Sequence, residues 1–545
     1  MADYAEVQIG ELGMEAIDRF LHYWAVCLYP NNSQEATHNH QELASAVAAR
    51  PEIRRLARNP VMLTALAVVN WNERRLPEQR AELYESIVVW LARSREQRPG
   101  RESADRCLEL LGKLARSMQE RSGGRVSELS KETAAETLAI QMPEVPHPKR
   151  LAAARQFLDS DEVDSGIIVS RGTEIRFWHL TFQEYLCARA ISGLADSAQR
   201  NILFAGDTVY KPEWREVVLL LAGILRARQG REKVDGLFKA ALDSLGTRPT
   251  LVASGLCAGI LGAVLRDLQP FAYYPPDARF GALMETVMAI FKEHGASAMN
   301  LATRIGAADA LGYAGDPRLS HPKDKDYWIT VSCCRAGTDL TDRRRTSAST
   351  SELHSYQIGR YPVTVQEYCL FVADDGYGED RWWGKGRVPG SQPRNWDEQV
   401  LYPSRPVVGV TWYEASAYCE WAGVRLPSAL EWERVAFGSE RRRYPWGTAL
   451  PGPDRANYSD TGVGHATPVG LFPGGSSPEG VADLAGNVWE WVADWYVLGG
   501  SFADRAGVFS SEDLVRLVPF DGDLKVGFRC ARTLSISPPA DLHPG

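Results

Sequence analysis

The chain has 545 residues, enough for three or four domains. Its 44% hydrophobic and 24% charged content is that of an ordinary globular protein, and a net charge of -8 argues against a nucleic-acid binder that works by phosphate neutralisation. No apolar run reaches the length of a membrane span, and the opening MADYAEVQIGELGME has neither a basic nor an apolar secretory stretch, so a cytoplasmic protein with no membrane partner is expected.

Residues 1 to about 320 read as helix after helix. His38 and His40 form an HxH pair with no further ligand at recognisable spacing, which reads as a polar loop. In ARNPVMLTALAVV, Pro60 stands at the first turn of an apolar helix. In RAELYESIVVWLAR, Leu83, Ile87, Val88 and Leu91 make one stripe at helical spacing. The run DSGIIVSRGTEIRFWHL holds two β-rich stretches around Arg-Gly, a hairpin, and LTFQEYLCARAI after it is helical again. Helices, a β-wing and a closing helix predict a winged-helix unit. Apolar helices follow from 200 to 320, ending in ATRIGAADALGYAGDPRL, similar to one HEAT-type repeat. The polar stretch SHPKDKD at 320–326 is the expected domain boundary.

From Tyr327 the strand runs shorten, and ten of the sixteen tryptophans fall between Trp382 and Trp495. Such a chain must be held by aromatic packing and by loops tied through polar or metal contacts. Trp412, Ala415, Tyr418, Cys419 and Ala422 predict a helix on a sheet. Ser428 and Glu431 have capping-box spacing at the start of another. The nine cysteines are scattered, with Cys333 and Cys334 adjacent and no CxxC pair, so they read mainly as buried thiols.

At LARNPVMLTALAVV, LPEQRAELYESIVVWL and FWHLTFQEYLCARA the chain resembles the C-terminal half of bacterial NACHT-type signalling ATPases. The P-loop of that family, GxxxxGK[ST], is absent from this sequence, so the resemblance implies no ATP hydrolysis by this polypeptide alone. It also implies that His179 would sense nucleotide if a P-loop NTPase partner or parent chain supplied the other half. As a residue at a helix start, His179 reads more simply as a packing or capping group.

YQIGRYPVTVQEYCLFV, RPVVGVTWYEASAYCEWAGVRLPSALEWERVAFG, YPWG, DLAGNVWEWVADWY, LGGSF and VGFRCAR, in that order, resemble the formylglycine-generating-enzyme (sulfatase-modifying factor) family of C-type-lectin fold. The fold class expected is therefore multidomain: a mainly α N-terminal region, helical plus winged-helix and then HEAT-like, followed by an α+β domain of that lectin-like fold. The expected divisions are 1–110 helical and NACHT-like, 111–200 winged-helix, 201–322 helical, 323–536 lectin-like and 537–545 tail.

In the oxidases of the family two cysteines after GGS[FW] bind copper; the matching positions here are Asp504 and Phe509. A carboxylate and a phenyl ring cannot replace two thiolates at a soft-metal site, and Cys530 has no partner nearby in sequence. A branch that joins sulfur to histidine derivatives uses a three-His iron module, which the helical half does not offer, so neither copper nor iron is expected. The resemblance implies Ca2+ held by Asp483, the carbonyls of Gly486 and Val488, and Glu490, and a second site near Asn457, Tyr458 and Asp460.

Leu514 and Gly522 occupy positions where relatives carry arginine, while Pro519 and GFR stay in register. A kept scaffold without its catalytic pair implies a binding surface, made of Phe502, Asp504, Arg505, Phe509, Glu512, Asp513, Arg516, Phe520, Asp521, Asp523 and Lys525. The same strip is hypervariable in retroelement-diversified variable proteins of this fold. The expected function is non-catalytic recognition of a protein or other macromolecule in bacterial conflict or phage defence. The alternatives are a metal-dependent oxidase or sulfur-transfer enzyme, and a nucleotide-gated switch completing a split ATPase.

Overall fold

The computed structural model describes residues 12–73, 76–77, 79–93, 102–121, 124–332, 354–384, 386, 392–509 and 522–534. They divide into two compact units, one from residues up to 247 together with 263–280, the other from 248–262 together with residues from 281 onward.

The first unit opens with α1 (Met14–Leu28), α2 (Ser33–Ala49), α3 (Pro51–Ala57), α4 (Pro60–Glu73) and α5 (Arg80–Arg93). The polar loop expected at His38 and His40 is instead helix α2. Asn32 caps it by accepting from the Glu35 amide, and the Ala, Glu and Gln residues that follow favour helix. His40 Nε2 meets Asp18 Oδ1 at 2.9 Å, a contact between helices rather than a metal site. Pro60 opens α4, and the stripe of Leu83, Ile87, Val88 and Leu91 is buried as its spacing requires.

The winged helix follows: α6 (Ala104–Gln119), β1 (Glu128–Ser130), α7 (Lys131–Ile140), α8 (Arg150–Asp164), β2 (Ile168–Arg171), β3 (Glu174–Phe177) and α9 (Leu180–Ser192). The strands form an antiparallel sheet in the order β1-β3-β2, with Ile168 opposite Phe177 and Leu129 opposite Ile175. Gly172 turns the hairpin at φ +65°. Helices α6 and α9 approach closely because Gly112 has no side chain: a Cβ there would lie 3.2 Å from Leu186 O and 3.3 Å from Ala190 Cβ. The unit continues with α10 (Asp196–Phe204), α11 (Arg215–Gln229) and α12 (Arg231–Ser244). Its interior includes charge: Arg80 lies 3.0 Å from Glu216 and 2.8 Å from Asp267, and Glu85 receives the Tyr185 hydroxyl and the Arg189 guanidinium.

The chain runs on through α13 (Leu251–Asp267), α14 (Arg279–Val287), α15 (Glu293–Ser297) and α16 (Leu301–Ala314). The expected boundary at 320–326 lies inside the second unit. Contacts between residues about a hundred or more positions apart explain why. Asp309 on α16 pairs with Arg405 at 2.7 Å, Arg304 bonds the carbonyls of Leu471 and Pro453, and a Cβ on Gly312 would strike Ser404 Oγ at 2.7 Å. Helix α16 is thus built into the C-terminal unit.

That unit holds β4 (Trp328–Val331), β5 (Tyr356–Gly359), α17 (Val365–Ala373), α18 (Trp396–Gln399), α19 (Trp412–Ala422), α20 (Ala429–Phe437), β6 (Trp489–Trp491), β7 (Val497–Leu498), β8 (Val526–Phe528) and β9 (Ala531–Thr533). Three capping boxes start α17, α19 and α20, at Thr364/Glu367, Thr411/Glu414 and the expected Ser428/Glu431. One sheet runs β4-β5-β9, all antiparallel. The other runs β7-β6-β8, with β6 and β8 parallel. Aromatic packing supplies the core, as the tryptophan content requires: Tyr368, Phe371, Tyr418 and Phe528 surround one another, and Trp412 stacks on Trp495 at 4.0 Å. Cys530 does have a neighbour in space. Cys419 is buried in the same core cluster, and both are free thiols.

Candidate functional site

The strip expected to bind starts at the turn Gly499-Gly500-Ser501, where both glycines have positive φ (+100° and +74°) and the Gly499 carbonyl receives the Gly486 amide. Asp504 closes that turn. Its Oδ2 accepts from Trp489 Nε1 at 2.8 Å, from the Ser501 amide at 3.0 Å and from the Ser501 hydroxyl. One carboxylate oxygen thus serves three donors, and the Asp504 carbonyl receives the Ser459 amide at 2.9 Å. Asp504 works here as a structural acceptor.

Phe502 is half-buried against Val408, Ala466 and Val488, while Arg505 is exposed with no ion-pair partner among the described residues. Asp523 and Lys525 form a turn into β8: Asp523 Oδ1 accepts the Lys525 amide at 2.9 Å, and the Lys525 carbonyl receives the Trp489 amide. The side chain of Phe509, and Glu512, Asp513, Arg516, Phe520 and Asp521, lie outside the described residues. The described strip therefore leaves Arg505 exposed and Phe502 half-buried, and spends Asp504 on its own turn.

Behind the strip lies a buried ion pair that sequence reasoning missed. Glu490 and Arg529 are both fully buried. Arg529 Nε meets Glu490 Oε2 at 2.6 Å, and Arg529 Nη2 meets Oε1 at 2.6 Å. Trp432 Nε1 adds a third donor to Oε2 at 2.7 Å, and the remaining guanidinium donors reach the carbonyls of Gly359 and Ala482. The GFR motif marked Arg529, but nothing in the sequence paired it with a carboxylate 39 positions earlier.

Asp483 is buried beside this pair in a left-handed conformation (φ +56°), with Oδ2 accepting the Gly470 amide at 2.6 Å. Burial, aided by the nearby Glu490, pushes its carboxyl up to about 6. Asp483 Oδ1 and the carbonyls of Gly486 and Val488 accept no hydrogen bond among the described residues. These three hard oxygens are left without a donor, whereas Glu490 already shares its carboxylate with Arg529 and Trp432. The second expected site does not fit. Asn457 is wholly buried and spends its side chain inside the protein, Nδ2 donating to Asn487 Oδ1 and His465 O while Oδ1 accepts from Thr461. It is a structural hub that spacing alone could not distinguish from a ligand.

In the winged helix, His179 is the N-cap of α9. Its Nδ1 accepts the Thr181 amide at 3.2 Å, the ring lies edge-on to Phe182, and burial lowers its basicity. No helix of the described residues is long and apolar enough to cross a membrane.

Residues 323–534 match the family of the sulfatase-modifying factor enzyme 1-like domain, and residues 63–191 match the winged helix-turn-helix domain C-terminal to NACHT. The second match begins well before residue 111, so α4 and α5 belong to the winged-helix family segment. The hercynine oxygenase of Mycolicibacterium thermoresistibile is 35% identical over 182 residues, 29% of this chain and 41% of that protein. The inactive C-alpha-formylglycine-generating enzyme 2 of Mus musculus is 28% identical over 282 residues, 41% of this chain and 87% of that protein. Among solved structures, Treponema denticola variable protein 1 aligns with 18% identity over 38% of this chain and 94% of its own, at a TM-score of 0.29. The chain spans about two fifths of the length of the hercynine oxygenases it matches. It joins a NACHT-associated winged helix to a sulfatase-modifying-factor-like domain.

Proposed function

We propose that the C-terminal domain is a non-catalytic recognition domain. It binds a protein or other macromolecular ligand through the strip at 499–526 and is attached to NACHT-like signalling elements in a cytoplasmic conflict or phage-defence system. Asp504 carries this reading. At the position of a metal-binding cysteine stands a carboxylate whose Oδ2 is taken by Trp489 and Ser501, which supports a scaffold role rather than redox chemistry. The relative from Mus musculus, named as inactive, is a precedent for this family without the reaction. Calcium at Asp483, Gly486 and Val488 would brace the turn behind the strip.

Two measurements test the proposal together. Purified full-length chain should contain no stoichiometric copper or iron and consume no oxygen with cysteine-containing peptides. A partner captured from the native host or from phage-infected cells should be lost by Phe502→Ser and Arg505→Glu variants. Stoichiometric metal with turnover would replace this reading by that of an oxidase or sulfur-transfer enzyme; the similar hercynine oxygenases are enzymes by name. Diversification by a retroelement is a finer proposal: codons 499–529 should differ among sister isolates, and identical codons throughout would remove it.

A second reading concerns the winged helix. The matched family sits C-terminal to NACHT, and this sequence has no P-loop, so a P-loop protein is the partner to seek. The capping role of His179 weakens its candidacy as a nucleotide sensor. Nucleotide bound by a co-purified complex and lost in His179→Ala would reinstate it.

A further inference from the structure

Helix α16 is joined to the loop 452–472 by buried polar contacts. Arg304 is 3% exposed, with no carboxylate in its hydrogen-bonding shell. Its Nη1 donates to the Leu471 carbonyl at 3.2 Å and Nη2 to the Pro453 carbonyl at 3.3 Å, with the guanidinium over the Phe472 ring. A buried arginine without a counter-ion is costly unless its donors are used; Nε has no partner among the described residues, so the two Nη bonds and this ring hold the guanidinium and fix where the two ends of the loop lie. Just beyond α16, Arg318 adds a bond to the Val469 carbonyl at 2.8 Å. The pair Asp309–Arg405 and the contact of Ser404 with the Ala308 carbonyl fasten the same helix to the neighbouring segment, whose Ser404 carbonyl receives the Val469 amide.

The middle of that loop holds the binding strip. The Asn457 carbonyl receives the Asn487 amide at 2.8 Å, and the Asn487 carbonyl receives the Phe502 amide at 3.0 Å. The Asn487 side chain, in a left-handed residue (φ +63°), exchanges hydrogen bonds with Asn457 and Thr467. The Ser459 amide donates to the Asp504 carbonyl. Gly486 is required at this crossing, since a Cβ would lie 2.3 Å from the Asn457 carbonyl oxygen. One loop is therefore gripped near its ends by α16 and between them by the strip, through buried and part-buried hydrogen bonds.

We propose that loop 452–472 is a mechanical link through which the state of the binding strip is relayed to helix α16, with Arg304 and Asn457 as its positioning residues. The inference rests on the strip being the recognition face, and it gives that face an output. Coupling of this kind is a shared local-opening equilibrium: loosening one end lowers the protection of the other.

Hydrogen exchange of the full chain, read by mass spectrometry without ligand, tests it. Arg304→Met keeps the packing volume and removes the bonds to Leu471 and Pro453. It should raise exchange by about three-fold or more in 301–314 and 452–472, and also in 485–489 and 499–509. Tyr356→Phe, which removes a bond to the Glu431 carbonyl elsewhere in the unit, should leave 499–509 unchanged. An increase for Arg304→Met that stops at 452–472 overturns the link, as does an equal rise at 499–509 in Tyr356→Phe. Should Arg304→Met fail to fold, Thr461→Val removes one bond to Asn457 and should loosen both 301–314 and 499–509. Loosening of only one, or neither, overturns the link. Because no ligand is involved, a failed link leaves the recognition reading standing. Loss of partner capture in strip variants that keep the exchange pattern bears on recognition alone.

Discussion

Arg529→Met is the sharpest perturbation of the scaffold behind the strip. It removes the guanidinium that meets both oxygens of Glu490 at 2.6 Å, in a place where neither side chain is exposed. Two charges about 4 Å apart attract by about 4 kcal/mol at the effective dielectric typical of proteins. Breaking a buried pair by removing one partner costs about 3–5 kcal/mol, because the other charge is left unpaired. Trp432 alone would remain to serve Glu490. The expected loss is therefore about 3–5 kcal/mol at pH 8. Tryptophan fluorescence in a denaturant titration suits the measurement, because most tryptophans lie in the second unit. Glu490→Gln added to Arg529→Met should recover more than half of the loss at pH 8. A cost under about 1 kcal/mol for the single variant, or a double variant as unstable as the sum of its parts, would refute the mutual neutralisation of this buried pair.

Glu367 gives a pH signature of its own. Burial pushes its carboxyl up to about 7 from 4.5, against the bonds from Thr364, so the folded state holds the proton more tightly and stability falls as pH rises through that window. The drop is on the order of 3 kcal/mol. Glu367→Gln should flatten it and match or exceed the parent at pH 8, whereas parallel pH profiles would contradict this. Asp504→Ala should cost about 1–3 kcal/mol by orphaning Trp489 Nε1 and the Ser501 donors. An unchanged denaturation midpoint would deny Asp504 its structural role. Calcium at 100 times its dissociation constant should stabilise the second unit by about 2.7 kcal/mol over a chelator control, and Asp483→Asn should abolish the effect. Equal melting midpoints with calcium and with chelator would dismiss the cation.

Local chemistry was legible wherever it acts within a few residues. The capping box at Ser428 and Glu431, the Pro60 helix start, the hairpin turned at Gly172 and the helix over Trp412–Ala422 all follow from spacing and from backbone preferences that need no distant partner. The order of the C-terminal motifs likewise specified the sulfatase-modifying-factor-like domain. Local polarity misled at His38 and His40, where Asn32 and the contact to Asp18 place the pair on a helix. It also misled at Asn457, whose amide is satisfied by residues 4, 8 and 30 positions away rather than by a cation. Tertiary structure alone decided that Glu490 belongs to Arg529, that Cys419 and Cys530 share one core cluster, and that α16 joins the C-terminal unit across the expected linker. Each of these couples residues that are 39 to 167 positions apart. Burial sets the strength of such contacts, and burial exists only once the chain has closed on itself.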